Sequence, residues 1–270
     1  VLYDGDGADL PGDSAGRRAL PGGRGMHTRV GRTGFWAGLF LGIAALLGVS
    51  VFCWGNRQYY LTSFLLAGLM LLPFLLRFEG RRPGARELVL LASMAALAVA
   101  GRAAFYWLPQ AKPVSAIVIL TAVILGPEAG FLTGALAALL SNFFFGQGPW
   151  TPWQMIGFGL VGFLGGKLFY GKERSRLGLL LYGFFSVLLV YGGLLDTASL
   201  FLFPAEISWK ALLALYASGF PFNLVHAVAT VVFLWLLNAP VCTKLERLVR
   251  KYGIDTKAVP PRVREKAEKP

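Results

Sequence analysis

Charged residues are scarce in this chain, and acidic residues are the scarcest of them. Only 15% of the 270 residues are Asp, Glu, Lys or Arg, and Asp and Glu together number 14. Hydrophobic residues make up 56% of the sequence, which is more apolar surface than a soluble domain of this length can bury. The composition excludes an ordinary soluble protein. It indicates an all-α integral membrane protein with little mass outside the bilayer.

Cysteine and histidine are nearly absent, with two residues of each. Cys53 and Cys242 follow no metal-binding spacing, and the topology derived below puts them on opposite sides of the membrane, so we expect no disulfide between them. His226 is the one histidine within an apolar segment. A metal site would therefore lack ligands, and we predict neither a metal nor a cofactor.

Catalytic motifs are missing too. No G-x-S-x-G sequence is present, and Asp196 is the one aspartate in an apolar segment, so intramembrane serine and aspartyl proteases are both excluded. The stretch GLVGFLGGKL at 159–168 resembles a phosphate loop, but Val161 replaces its first glycine and Leu168 its Ser or Thr. The sequence thus predicts a protein that binds and conducts rather than an enzyme.

Long apolar runs are what the chain has in abundance. Residues 1–25 contain none, and we expect them to be disordered. About eight segments that could form transmembrane helices follow, and their approximate bounds are 35–54, 58–76, 88–108, 114–126, 129–144, 153–170, 177–200 and 209–238. The charged stretch RFEGRRPGARE separates the first two from the other six. This divides the chain into a helix pair within 26–76, a six-helix core at 77–240 and a basic tail at 241–270.

Basic residues alternate with the apolar segments rather than forming one patch. They concentrate near 77–87, near 171–176 and in the tail, whereas the intervening links hold at most one each, such as Lys112. This is the positive-inside pattern of a multi-pass protein, so we expect both termini in the cytoplasm. The net charge of +12 then reflects topology in the lipid bilayer, and we predict no nucleic-acid partner.

Small residues form two ladders. Gly162 and Gly166 have the G-x-x-x-G spacing that lets two membrane helices approach closely. Ala92, Ala96 and Ala100 recur every four residues and so form one smooth stripe on a helix. This stripe either packs within the protein's own bundle or provides a docking face for the helices of a partner.

Several polar side chains interrupt the apolar segments and are candidates for a ligand site. Arg102 could form an ion pair with Glu128 or Asp196, contact a ligand, or extend to the interface. Pro221 predicts a kink or break in the last helix, close to Asn223 and His226, which share one helix face. These two residues either bond to each other or bind a ligand. We expect Arg102, Asn142, Asp196, Asn223 and His226 to converge on one cavity open to the outside.

The stretch FFFGQGPWTPWQM at 143–155 is a rigid, aromatic turn between two apolar segments. Its prolines and glycines fix the backbone, and Thr151 is positioned to cap the following helix. We predict that the turn holds polar and aromatic side chains as one wall of the ligand site, or else that the tryptophans only anchor the interface. The candidates are Gln147, Trp150, Trp153 and Gln154.

This signature resembles one found in substrate-capture (S) components of energy-coupling factor (ECF) transporters, the ABC-type vitamin importers of prokaryotes. GPEAGFLTGALAALLSNFFFGQGPWTPWQM and GFPFNLVHA carry most of the likeness, which spans about residues 77–240. The resemblance implies a six-helix bundle that captures one micronutrient at the outer face. It also implies a transmembrane T component and two ATPase subunits as partners, with Ala92, Ala96 and Ala100 as the stripe that docks on the T component.

The branch with this signature resembles S components proposed to transport cobalamin, which makes a corrinoid one possible ligand. Two features depart from the family pattern: the helix pair before the core, and Asn223 where relatives often have Asp. The alternative function is a stand-alone secondary transporter or channel for a small nutrient. Such proteins usually contain inverted repeats and several intramembrane ionisable groups, and both are scarce in this sequence.

Overall fold

The computed structural model describes residues 84–172, 175–202 and 208–254, together with six isolated helical positions between 65 and 76. All regular structure within these residues is helical, as predicted. The expected disordered segment 1–25, most of the helix pair at 26–76 and the end of the tail lie outside the described residues. The predicted total of about eight helices is therefore tested only for the core.

Six helical rods make up the described core. They consist of seven α-helices and one π-helical segment: α1 Ala85–Ala104, α2 Val114–Leu125, α3 Pro127–Phe145, α4 Thr151–Phe169, α5 Arg176–Phe185, the π-helix Ser186–Gly192, α6 Gly193–Leu202 and α7 Trp209–Lys251. Since α5, the π-helix and α6 follow one another without a gap, they form one rod. The six rods correspond to the six apolar segments predicted for the core.

Four of these rods are long and apolar enough to cross a membrane: α1, α3, the α5–α6 rod and α7. The helix α2 is apolar but has only 12 residues. At 1.5 Å per residue it spans about 18 Å, less than the roughly 30 Å hydrocarbon core. Its sequence, VSAIVILTAVIL, contains no charge, and all 12 residues are buried. The helix α2 is therefore the centre of the bundle and is enclosed by its neighbours.

Glycines set the distance between α3 and α4. A Cβ atom added to Gly162 would lie 2.5 Å from the carbonyl oxygen of Gly130, and one added to Gly166 would lie 2.6 Å from the backbone nitrogen of Pro127. The two backbones are thus in direct contact, as the G-x-x-x-G spacing predicted. Between α2 and α3, Gly126 has a φ of 101°, which lets the chain reverse within one residue.

The last helix does not break at Pro221. The helix α7 runs for 43 residues through both Pro221 and Pro240, so it spans about 65 Å, twice the hydrocarbon thickness. It therefore extends well beyond the predicted end at 238, and the first part of the basic tail is helical. Cys242, Leu245 and Val249 on this extension are buried, which joins it to the core.

The helix α1 has two unlike faces. Leu91, Ala95 and Ala98 on one face are almost fully buried. Ala92, Ala96 and Ala100 on the other face are all exposed. The alanine stripe is thus not packed inside the described bundle, which leaves it accessible to another molecule.

Candidate functional site

A polar cavity of about 280 Å³ lies at the end of the bundle that contains the α1–α2 link and the α3–α4 turn. Five of the predicted site residues line it together: Arg102, Gln154, Asp196, Asn223 and His226. They come from α1, α4, α6 and α7, so residues more than a hundred positions apart in sequence meet here. The remaining lining residues are Gln110, Lys112, Val114, Phe158, Tyr191, Leu195, Gly219 and Phe222.

One wall of the cavity is cationic. Arg102 donates from Nη1 to Ser141 Oγ at 2.5 Å and to Asn142 Oδ1 at 3.0 Å, and its guanidinium lies 5.0 Å from the centre of the Phe145 ring. The ammonium of Lys112 lies 5.8 Å from the same ring. Burial lowers the pKa of Lys112, and the nearby positive charge of Arg102 lowers it further. The two cations therefore share a small, partly desolvated region.

A second wall contains the one carboxylate among the described lining residues. Asn223 Nδ2 donates to Asp196 Oδ2 at 2.8 Å, which joins α7 to α6. Gly192 and Gly219 make room for this pair, because a Cβ on the first would lie 2.6 Å from the Asn223 amide and a Cβ on the second would collide with the Asp196 carboxylate. Asn223 and His226 were expected to bond each other or a ligand. They do not bond to each other, because Asn223 bonds to Asp196 and His226 lies beside Ser115, and ligand binding by both remains a prediction.

His226 forms the apolar floor with two aromatic rings. It is buried, and its Nε2 lies 3.0 Å from Ser115 Oγ. Its ring packs edge-on against Tyr191 at 4.9 Å and against Phe158 at 5.9 Å between ring centres. In the part of the chain that the structure describes, its Nδ1 has no hydrogen-bond partner. A buried imidazole nitrogen without a partner is unusual, because leaving it unsatisfied costs roughly 1–3 kcal/mol.

Asn142 lies behind the cavity rather than in its lining. It accepts from Arg102 and donates from Nδ2 to Gln154 Oε1 at 2.8 Å and to Thr151 Oγ1 at 3.0 Å. It is almost fully buried. This single amide therefore orients Arg102 on α1 and Gln154 on α4 at the same time, which makes it a positioning residue for the cationic wall.

The α3–α4 turn supports that arrangement from outside the cavity. Thr151 is the first residue of α4, and no side chain caps this helix, so the predicted cap is wrong. The Thr151 hydroxyl instead donates to Gln147 Oε1 at 2.9 Å and accepts from the backbone N–H of Gly148 at 3.3 Å. Gln147 in turn donates to the carbonyl of Leu139 at 3.1 Å. These bonds hold the turn against α3.

The tryptophans of the turn do not line the cavity. Trp150 is 43% exposed, and its ring packs over Gly148, whereas Trp153 is buried between helices. Of the four residues predicted on the turn, only Gln154 reaches the cavity. Gln147, Trp150 and Trp153 are not among the residues that line the cavity, and their contact with a ligand remains a prediction.

Sequence reasoning overlooked two lining elements. Gln110 has a left-handed backbone with a φ of 59°, which bends the α1–α2 link so that Gln110 and Lys112 both reach the cavity. Tyr191 comes from the π-helix, whose extra residue per turn changes which side chains face inward. Lys112 had a visible signal as the single basic residue of its link. Tyr191 had none, because periodicity does not reveal a π-helical segment.

Comparison with known proteins identifies a family to which the sequence of this core is similar. The family model of the ECF-type riboflavin transporter S component matches residues 84–241, which is more than half of the chain. The chain belongs to the ECF S-component family. The matched range begins at α1 and ends within α7, so it coincides with the six-rod core and includes every residue of the cavity.

Two curated relatives are UPF0397 proteins of vibrios. The protein of Aliivibrio salmonicida is 33% identical over 101 residues, covering 35% of this chain and 55% of the relative. That of Vibrio atlanticus is 38% identical over 66 residues, covering 24% and 35% respectively. The chain thus spans about half the length, or less, of these relatives. No solved structure matches the chain.

Membership of this family settles the class of the protein. ECF S components are membrane-embedded subunits of transporters and not enzymes, and the apolar helices of this chain agree with that. The family works with a T component and ATPases. The predictions of a transmembrane, non-enzymatic transport protein and of S-component membership are therefore confirmed.

Proposed function

We propose that this protein captures a vitamin-like micronutrient at the outer face of the cell membrane for uptake driven by partner ATPases. The observation that supports this best is the polar cavity inside an apolar bundle of the S-component family, with a buried His226 Nδ1 that has no protein partner in the described residues. The basic links and tail place both termini in the cytoplasm. The cavity end of the bundle is then the outer end.

The volume of the cavity limits the size of the ligand that it can hold. About 280 Å³ is close to the lower limit of ligand pockets, which range over roughly 300–1,000 Å³. Such a volume suits a compact vitamin with one ring system better than a corrinoid, because the corrin macrocycle is several times larger than such a ring system. Riboflavin, which the family description names, and cobalamin, which the sequence signature suggests, are the first two probes.

The exposed alanine stripe supports the proposed partner. Ala92, Ala96 and Ala100 offer α1 as a smooth surface at which another membrane helix can pack closely. We assign this surface to the T component, with two ATPases completing the complex. Since the stretch at 159–168 lacks the first glycine and the Ser or Thr of a phosphate loop, we assign ATP hydrolysis and the energy for uptake to those partners.

Co-expression with the T component and ATPases of the same genome tests this function. We expect the four-protein complex to co-purify, and native mass spectrometry to detect about one small molecule per S component. Uptake into vesicles should require ATP and all partners. Transport by this chain alone, in vesicles without any ATPase, would show a stand-alone secondary transporter or channel instead.

A further inference from the structure

Within the part of the chain that the structure describes, two positive charges in the cavity have no carboxylate partner. Arg102 binds the neutral oxygens of Ser141 and Asn142, and Lys112 contacts the Phe145 ring. Asp196 is the only acidic residue among the described lining residues, and it accepts a hydrogen bond from Asn223. Among the described residues, neither cation forms an ion pair with it. The cationic wall therefore has an excess of positive charge that the described residues do not neutralise.

Such an excess is costly in a membrane protein. Charged side chains at membrane depth normally pair with one another or mark a ligand pathway, because the surroundings solvate them poorly. Phe145 offsets part of the cost by cation–π contact, which is worth about 0.5–2 kcal/mol. A ring face, however, leaves N–H donors unused. The guanidinium has five, and both bonds to protein acceptors come from Nη1.

The remaining polar groups near the cations also suit an acceptor-rich ligand. Gln154 has its oxygen occupied by Asn142, so its amide nitrogen is the group left for a ligand. His226 has Nε2 beside Ser115 and Nδ1 without a partner in the described structure. When Ser115 donates to Nε2, the proton of the neutral imidazole lies on Nδ1, which is then a donor.

We propose that the ligand is an organic anion whose carboxylate or phosphate group binds between Arg102 and Lys112. This inference rests on the proposed function and narrows its ligand to one chemical class. Gln154 supplies a neutral donor, and the Asp196–Asn223 pair lines the same cavity beside the uncharged part of the ligand. Charge-assisted hydrogen bonds of this kind are about twice as strong as neutral ones.

Matched pairs of an anion and its neutral analogue test this assignment on the purified full chain. The pairs are riboflavin 5′-phosphate with riboflavin, pantothenate with pantothenol, and biotin with its methyl ester. We expect at least one anion to raise the thermal unfolding temperature and to bind tenfold or more tightly than its neutral analogue. A panel in which no anion binds, or in which neutral analogues bind equally well, would overturn the proposal.

Variants of Lys112 show whether the preference arises at this wall. We expect Lys112→Met to weaken binding of the preferred anion about tenfold while the neutral analogue is unaffected, and Lys112→Arg to restore binding to within a few-fold. Lys210→Met, which removes an exposed lysine at the start of α7, is the matched control. Equal behaviour of the two methionine variants would refute the assignment.

These outcomes are separate from those of the proposed function. A neutral vitamin bound at 1:1, together with a co-purifying T component, would keep the function and remove the anion site. Absence of a T-component complex would remove the function itself, whatever the charge preference of the cavity.

Discussion

The packed centre of the bundle and the helices around its cavity are built in opposite ways. In α2 all 12 residues are buried, and α3 and α4 meet backbone to backbone through glycines. The helices α1 and α7 instead expose large parts of their surfaces, and α1, α6 and α7 direct charged or amide groups into the cavity. The difference indicates that α2–α4 form a fixed frame, whereas the surrounding helices provide the surfaces on which ligands and partners act.

The largest expected effect comes from adding one methyl group to the frame. In Gly162→Ala the new Cβ would meet the Gly130 carbonyl carbon at 2.6 Å and Val118 at 2.7 Å, so α3 and α4 must separate. Overpacking of this kind costs about 1–3 kcal/mol or more. We expect a clear fall in the thermal unfolding temperature in detergent, with reduced yield.

Gly193→Ala is the matched control for that substitution. Its added Cβ would come no closer than 3.9 Å to Tyr216, so the change should be neutral or raise stability by up to about 1 kcal/mol. If both alanine variants unfold at the same temperature, then the close approach of α3 and α4 does not hold the frame together.

A large side chain added to the exposed face of α1 should have the opposite effect, because it should leave folding intact and reduce uptake. Ala96→Trp introduces a large ring on a surface that the described bundle leaves open, so we expect folding and ligand affinity to stay within about twofold of the parent. Uptake by the complete complex should fall at least tenfold, because the ring prevents close helix packing.

The control for this variant is Ala214→Trp, an equal change at an exposed position of α7. It should leave uptake unchanged. Loss of ligand binding in Ala96→Trp would contradict the assignment of the stripe to docking, since the stripe lies outside the cavity lining.

A smaller effect is expected at the cavity wall that contains Asp196 and Asn223. Asn223→Ala removes the donor to Asp196 and leaves that carboxylate partly buried without its 2.8 Å bond. We expect a loss of stability of about 1 kcal/mol and weaker ligand binding, measured by thermal unfolding and titration. Ser218→Ala, whose hydroxyl bonds only within α7, should change neither quantity.

The smallest expected effect distinguishes a residue that lines the cavity from one that only supports the α3–α4 turn. Gln154 lines the cavity, whereas Trp150 is exposed and is not among the lining residues. We expect Gln154→Ala to reduce ligand affinity about tenfold and Trp150→Ala only a few-fold, through a less rigid turn. A larger loss in Trp150→Ala would show that the ring closes over the bound ligand.

Much of the fold was predictable because its signals are local. Uncharged runs predicted the six core rods, Gly162 and Gly166 predicted a close helix crossing, and Arg102, Asp196, Asn223 and His226 stood out as polar residues in apolar segments. Membrane helices are especially easy to predict from sequence, because lipid penalises charge and unpaired backbone groups within each single segment. The signature turn and the alanine stripe likewise indicated the family.

The partners of those residues were not predictable. The sequence allowed Asn223 to bond His226, but the structure pairs it with Asp196, and His226 with Ser115. Pro221 predicted a kink or a break, and the break is wrong because α7 continues through this residue. In each case the deciding factor is contact between segments distant in the chain, which local periodicity does not contain.

The sequence by itself determined that this is a membrane protein of six core helices, which residues are too polar for lipid, and which family it resembles. Only the tertiary structure decided that Lys112 and Tyr191 join the cavity, that Asn142 positions both Arg102 and Gln154, and that Ala92, Ala96 and Ala100 face outward. The physical reason is that burial in lipid acts on each segment separately, whereas a binding site depends on how the segments pack against one another.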